Sequence, residues 1–352
     1  MREFHRLVSG RTVLGDSLRL ASIRMTGLLV LLAALLGSPV FAAEAAPVLS
    51  DSEAIGVLRK IQDASRQLDY SGVFTYQQGS SMQSSRIVHM VDGTGERERL
   101  ETLDGEAREY LRHNDAIQCL VPDRKVILLE RRRGDRFPGL LLGEGSRIPQ
   151  HYTVSRRETP FRVAGRECNM FELQPKDQSR YGYRICSDTR TRLLLKAQTI
   201  DVHGRVVDQV AFTALQLGDE VSSAQLSSRW NTDGWRVLET TMQAADLSKE
   251  GWRIPSPAGF EVITQVTRSI MAGKTVSQLV LSDGLAAISV FIEPFDPSWN
   301  PHTIKGGTSK GALNIFRTRI GDHWLTTIGE VPADTLSDIA LHTEYLPTGS
   351  SQ

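Results

Sequence analysis

A charge excess of either sign is missing from this chain, whose 352 residues carry 41 Lys and Arg against 41 Asp and Glu. Binding a polyanion needs a clustered basic surplus, so no nucleic acid is implied as a partner, and no anionic membrane surface. Cysteine is scarce: Cys119, Cys168 and Cys186 form no Cys-x-x-Cys, which leaves dithiol redox chemistry without support. The eight histidines make neither H-x-x-H nor H-E-x-x-H, so no zinc site is indicated. No G-x-S-x-G occurs. Gly273-Lys274-Thr275 resembles the end of a phosphate loop, but Arg268 stands where the first glycine is required. Gly93-Thr94-Gly95 lacks the third glycine of a dinucleotide fingerprint. Catalysis, metal and cofactor thus have no motif to rest on, and the chain reads as a binding protein rather than an enzyme.

Long hydrophobic runs are also few. The one that stands out, Gly27 to Leu36, is about half the length of a membrane-spanning helix. Five arginines precede it, and Ser38, Pro39 and the small-residue site ending at Ala42 follow. This order of basic, apolar and small-polar stretches is that of a secretory signal peptide cleaved after Ala42. The mature chain then holds 36 basic and 39 acidic residues, a net charge of −3. The run Arg131-Arg132-Arg133 with Arg136 reads as a solvated hairpin edge.

What is present is mostly β pattern. Residues Asp51 to Leu68 have a capping residue at Ser50 or Asp51 and apolar positions Ile55, Leu58 and Ile61 at helical spacing. Short alternating runs follow, from Tyr70–Gln78 to Val206–Leu217, separated by Asp-Gly and other turn signals. Phe137 to Ile148 breaks that rhythm. Its Leu140-Leu141-Leu142 reads as a buried plug under the sheet, with a lid over a cavity as the other reading. Residues 219–234 are polar and Ser-rich, suited to a linker. A second β-rich unit ends in a helix expected over Ala333 to Tyr345. The expected division is signal peptide 1–42, a first domain 43–218, linker 219–234, a smaller domain 235–346 and a tail 347–352.

Export would expose the cysteines to an oxidising compartment. Cys168 and Cys186 flank the turn-forming stretch Pro175 to Ser179, and a hairpin centred on Asp177 places them opposite one another, within reach of a disulfide. Cys119 is then left as a small buried hydrophobe. A curved antiparallel sheet backed by a helix can also shelter an acyl chain. Candidate lining residues are Val73, Phe74, Tyr76, Phe137, Leu140, Leu141 and Leu142, although composition alone favours an ordinary filled core.

Several of these stretches resemble the RseB/MucB family. Leu68-Asp69-Tyr70-Ser71-Gly72-Val73-Phe74-Thr75-Tyr76 is similar to its first strand, and Arg180-Tyr181-Gly182-Tyr183-Arg184 is the most specific section. Ser282-Asp283-Gly284-Leu285-Ala286, Ser289 to Pro294 (SVFIEP) and Gly329-Glu330-Val331-Pro332 carry the likeness through the second unit. The resemblance implies a mainly β (α+β) fold: a LolA/LolB-like half-open antiparallel barrel with a helix, then a smaller β-rich domain ending in a helix. It implies a periplasmic negative regulator of sigma-E that binds an RseA/MucA-like anti-sigma factor and shields it from proteolysis. Lipopolysaccharide or a lipoprotein acyl chain would release it. Val290, Phe291, Ile292 and Glu293 are the candidate partner-binding residues. Homo-oligomers are compatible with this reading. The alternative is a lipid or lipoprotein carrier, which needs the barrel but not the second domain. The stretch after RYGYR lacks the Gly-Leu-Pro expected of the family, and the cysteine pair is no feature of it.

Overall fold

The computed structural model describes residues 46–131, 137–141, 145–239, 242–269, 275–296 and 305–346. The signal segment with Ala42, Leu142, most of the arginine run, Gly273-Lys274 and the tail 347–352 lie outside the described residues.

Helix α1 (Asp51–Gln67) starts as the sequence indicates. Ser50 caps it, with Glu53 answering in a capping box. Strands β1 (Tyr70–Gln78), β2 (Ser81–Asp92), β3 (Gly95–Thr102), β4 (Glu109–His113), β5 (Ala116–Val121) and β6 (Val126–Arg131) form a meander. A one-turn helix α2 (Ile148–His151) leads into β7 (Tyr152–Arg156), β8 (Phe161–Val163), β9 (Arg166–Pro175), β10 (Gly182–Asp188), β11 (Leu194–Ile200) and β12 (Val206–Leu217). Short β13 (Arg236–Glu239) and β14 (Met242–Ala244) precede β15 (Trp252–Arg253). The second unit continues with β16 (Glu261–Ser269), β17 (Thr275–Ser282), β18 (Ala287–Pro294), β19 (Gly306–Lys310), β20 (Leu313–Ile320) and β21 (His323–Gly329). Helix α3 (Ala333–Leu341) and β22 (Glu344–Tyr345) close the fold.

Among the described residues the first sheet has 13 strands in an open path, β13-β6-β5-β4-β3-β2-β1-β12-β11-β10-β9-β7, with β8 on β9. The path does not close, and α1 lies on one face of it, as in the expected half-open, helix-backed sheet. Ala54, Leu58 and Ile61 of the helix bury against a cluster that includes Phe171, Ile185 and Leu194. Burial of each large aliphatic there stabilises the fold by about 2 kcal/mol. Gly72 permits the crossing of β1 and β12: a Cβ there would lie 2.6 Å from the Ala214 oxygen and 2.8 Å from the Phe212 ring. The second sheet runs β14-β16-β17-β18-β21-β20-β19, and α3 covers one of its faces through Leu336 and Ile339.

Three expectations change. The helix α3 stops at Leu341, because Thr343 turns its hydroxyl back to the Ile339 carbonyl and Tyr345 stacks on Trp252 in the β15–β22 pair. Segment 219–234 lies along the first sheet: Val221 and Leu226 bury with Val88, and Arg229 pairs with Glu101. The next residues, Arg236–Glu239, add a parallel strand to β6. The Cys168–Cys186 disulfide is present with Cα atoms 5.5 Å apart, but the register differs from the expected one. Cys168 opposes Asp188 and Cys186 opposes Met170, so the hairpin centres on Gln178 and the bridge runs diagonally. Asp177 sets that turn by accepting from the Ser179 amide, and the twist of the ribbon brings the diagonal pair together.

Candidate binding site

The RYGYR and DGLA stretches meet at the junction of the two sheets. Arg180 leaves the β9–β10 loop and is 0% exposed. Its Nη1 donates to Asp283 Oδ2 at 2.8 Å and its Nε to Asp177 Oδ1 at 3.0 Å, and its Nη2 donates to the Ala258 carbonyl. Tyr152, on β7, donates its hydroxyl to the same Asp283 oxygen at 2.8 Å. The Phe260 ring lies 5.0 Å from the guanidinium carbon. Asp283 also accepts from the Leu285 and Ala286 amides, so the Asp-Gly turn before β18 is shaped to present this carboxylate. A buried ion pair is tolerable only when its remaining valences are filled, and here they are. Tyr181 accepts from Asn314, whose amide also holds the Ala312 and Val331 carbonyls, and Thr335 of α3 donates to the Ser179 carbonyl. One loop of the first sheet is thus fastened to four parts of the second unit.

The described lipid-lining candidates do not share one place. Phe74 and Phe137 meet Phe212 with ring centroids 5.1 and 4.9 Å from Phe137, in a core shared with Tyr70, Ile87 and Met170. Leu141, 2% exposed, and half-buried Leu140 lie with Phe137 beneath α1. Gln62 of α1 accepts from both the Leu140 and Leu141 amides, at 3.0 and 2.9 Å, which pins the loop as a plug. Tyr76 stands apart. Its hydroxyl donates to buried Asp208 at 2.9 Å, and burial pushes the phenol well above its usual range. Burial likewise raises Asp208. Val73 is half-buried on β1.

Two cavities open elsewhere. One of about 460 Å³ is lined by Glu172, Asp177, Arg180, Tyr183, Arg184 and Asp201 among others. Its charged groups are already paired: Glu172 with Arg157 and Arg184, Asp201 with Arg205. A second, of about 400 Å³, lies at Arg97, Glu98, Arg112 and Leu226. None of the described lipid-lining candidates borders either one.

Alternation along β18 divides the candidate partner-binding residues. Val290 (0% exposed) and Ile292 (4%) point into the core under α3. Phe291 and Glu293 face outward, Glu293 paired with Arg317 at 3.1 Å. Sequence reasoning missed the Arg180–Asp283 latch, although both stretches were singled out, because nothing in either one names a partner 103 residues away. It also missed the buried Arg99–Glu101–Glu109 network under Ser228 and Arg229.

Fold and junction define a mainly β protein whose two large sheets, among the described residues, are locked by a buried polar latch. Among its described residues no group of three or more His, Cys, Asp or Glu is placed to hold a metal ion, and no helix is long and apolar enough to cross a membrane. The chain belongs to the MucB/RseB family: the MucB/RseB N-terminal domain model matches residues 53–230 and the C-terminal domain model residues 246–344. The sigma factor AlgU regulatory protein MucB of Pseudomonas aeruginosa is 29% identical over 330 residues, 91% of this chain and 97% of that one. The sigma-E factor regulatory protein RseB of Haemophilus influenzae is 25% identical, over 82% and 90%. The crystal structure of MucB in complex with MucA(peri) superposes with a TM-score of 0.64 at 26% identity, covering 86% of this chain and all of that one.

Proposed function

We propose that this chain is a periplasmic regulator that binds the periplasmic segment of a membrane-spanning MucA/RseA-like anti-sigma factor. Bound there, it shields that factor from the first site-specific protease and so represses the sigma-E envelope-stress response. Lipopolysaccharide or a lipoprotein acyl chain releases it. The observation that carries this reading is the likeness along nearly the whole chain, through both sheets, to MucB, whose fold has been solved with MucA(peri). With this reading goes the division expected from the sequence: signal peptide 1–42, first domain 43–218, linker 219–234, smaller second domain 235–346 and tail 347–352.

Release needs a ligand whose affinity differs between the bound and free states. The acyl chain enters at the Phe74–Phe137–Leu141 core, which is filled by its own side chains in this structure, so entry requires the 137–141 plug to leave. Limited proteolysis of the anti-sigma segment tests the whole reading. The mature chain should slow cleavage, and added lipopolysaccharide should restore it. Cleavage at the same rate with and without the chain contradicts the proposal; lipid uptake without protection favours the carrier.

A further inference from the structure

The outward face of the second sheet, opposite α3, holds hydrogen-bonding capacity that the fold leaves unused. Register places Glu293, Arg319 and Trp324 in one row there, with Phe291 and Arg317 in the next. Arg317 lies over the Trp324 ring at 4.6 Å, and Arg319 over Phe295 at 3.8 Å. Arg317 offers a fork of donors, yet Glu293 takes it only through Nη2, at 3.1 Å. Its Nε is buried without an acceptor, and so is the indole Nε1 of Trp324, a side chain that is itself 5% exposed. Buried N–H groups without acceptors are rare and costly, and two on one face call for acceptors from outside the chain. Arg268, Arg317 and Arg319 share the face with Glu293 in the same row as Arg319, with Asp322 in the β20–β21 turn and with Glu261 at the far end of β16, where it pairs with Arg147. Half-buried Phe291 and Ile328 supply apolar ground between them.

We propose that this face docks an acidic segment of the anti-sigma factor that also carries bulky apolar residues. One incoming carboxylate takes the Nε and Nη donors of Arg317 together, the bidentate geometry that Glu293 leaves incomplete. Apolar side chains of the segment lie on Phe291 and Ile328. The inference rests on the regulator reading and assigns its partner surface.

The test titrates the periplasmic segment of the cognate anti-sigma factor into the mature chain, residues 43–352, labelled at tryptophan nitrogen. The Trp324 indole resonance, assigned through Trp324→Phe, should shift on binding. Arg317→Glu and Arg319→Glu should each weaken binding about tenfold or more. Arg317→Lys should lose most of the Arg317 contribution, because an ammonium cannot offer the fork. Arg253→Glu, outside this face, should bind as the parent does, and thermal melting of each variant shows that it is folded. Binding by the parent with unchanged affinity in both glutamate variants and an unmoved Trp324 resonance overturns this surface while leaving the regulator reading intact. No binding by the parent removes the regulator reading and this inference with it. Variants that keep the segment but lose lipopolysaccharide assign the face to an anionic lipid instead and overturn the proposal.

Discussion

Single side chains carry much of the junction's stability, and Asp283 is the clearest case. It receives Arg180 and Tyr152 at one oxygen, and two backbone amides at the other. Asp283→Ala should cost about 3 kcal/mol, because it leaves Nη1 of a guanidinium with no access to water without its carboxylate, Asp177 and the Ala258 carbonyl holding the other nitrogens. Tyr152→Phe removes one charge-assisted hydrogen bond and should cost about 1.5–3 kcal/mol. The two effects should be less than additive in a denaturant double-mutant cycle, since both act through one carboxylate. His89 offers a pH handle. It is wholly buried, stacks on Tyr70 at 4.8 Å, and holds the Leu68 carbonyl through Nδ1 at 2.8 Å. Burial lowers its pKa and Arg112 adds to that, while the Leu68 carbonyl, Glu98 and Glu96 work against it without reversing the direction. The folded form therefore binds this proton less readily than the unfolded chain. The histidine's contribution is fully present above its unfolded pKa and is lost as pH falls through the lowered value. Stability measured from pH 7.5 to 5 should fall in the parent and fall less in His89→Gln; equal slopes would exclude His89 as the cause. None of these partnerships was legible in the sequence. The types were visible, an arginine in RYGYR and an aspartate in an Asp-Gly turn, but a linear pattern does not encode which distant group fills a buried valence.

At the scale of elements the pattern was informative wherever period and punctuation agreed. Ser50, one of the two expected caps, starts α1, and β1 and β12 run over the residues their alternation indicates. Strands β13, β14 and β19 were missed, since four exposed residues, three residues, or the run Gly-Gly-Thr-Ser-Lys show no apolar alternation. Their pairing partners make them strands. The plug was legible as a break in rhythm, but its fastening to Gln62 was not. Gln62→Ala leaves two loop amides, at Leu140 and Leu141, without an acceptor, at about 1–3 kcal/mol for each one that stays buried. Hydrogen exchange at 140–141 should accelerate, and uptake of a fluorescent acyl probe should rise. Unchanged uptake with faster exchange would show that this plug does not gate the acyl site. The disulfide belongs to the same scale. It closes 18 residues of separation, and Cys168→Ala with Cys186→Ala should cost about 3 kcal/mol in the chain-entropy account, read as a lower denaturation midpoint.

At the scale of the whole molecule, the two large sheets among the described residues are joined by the Arg180–Asp283 latch and by segment 219–234. Its β character and its second unit could be read from turn spacing and composition. The manner of joining could not: residues 219–234, polar enough to read as a linker, are pinned by a few apolar side chains and the Arg229–Glu101 pair. Arg236–Glu239 then crosses to the first sheet before the chain enters the second. A partner that touched both sheets would feel any loosening of Arg180–Asp283. The most direct measurement is calorimetric titration of the cognate anti-sigma factor's periplasmic segment into the mature chain. Saturable binding that weakens when lipopolysaccharide is added is the expected result. Heat no greater than dilution, at concentrations where the chain is folded, would contradict the account at its root.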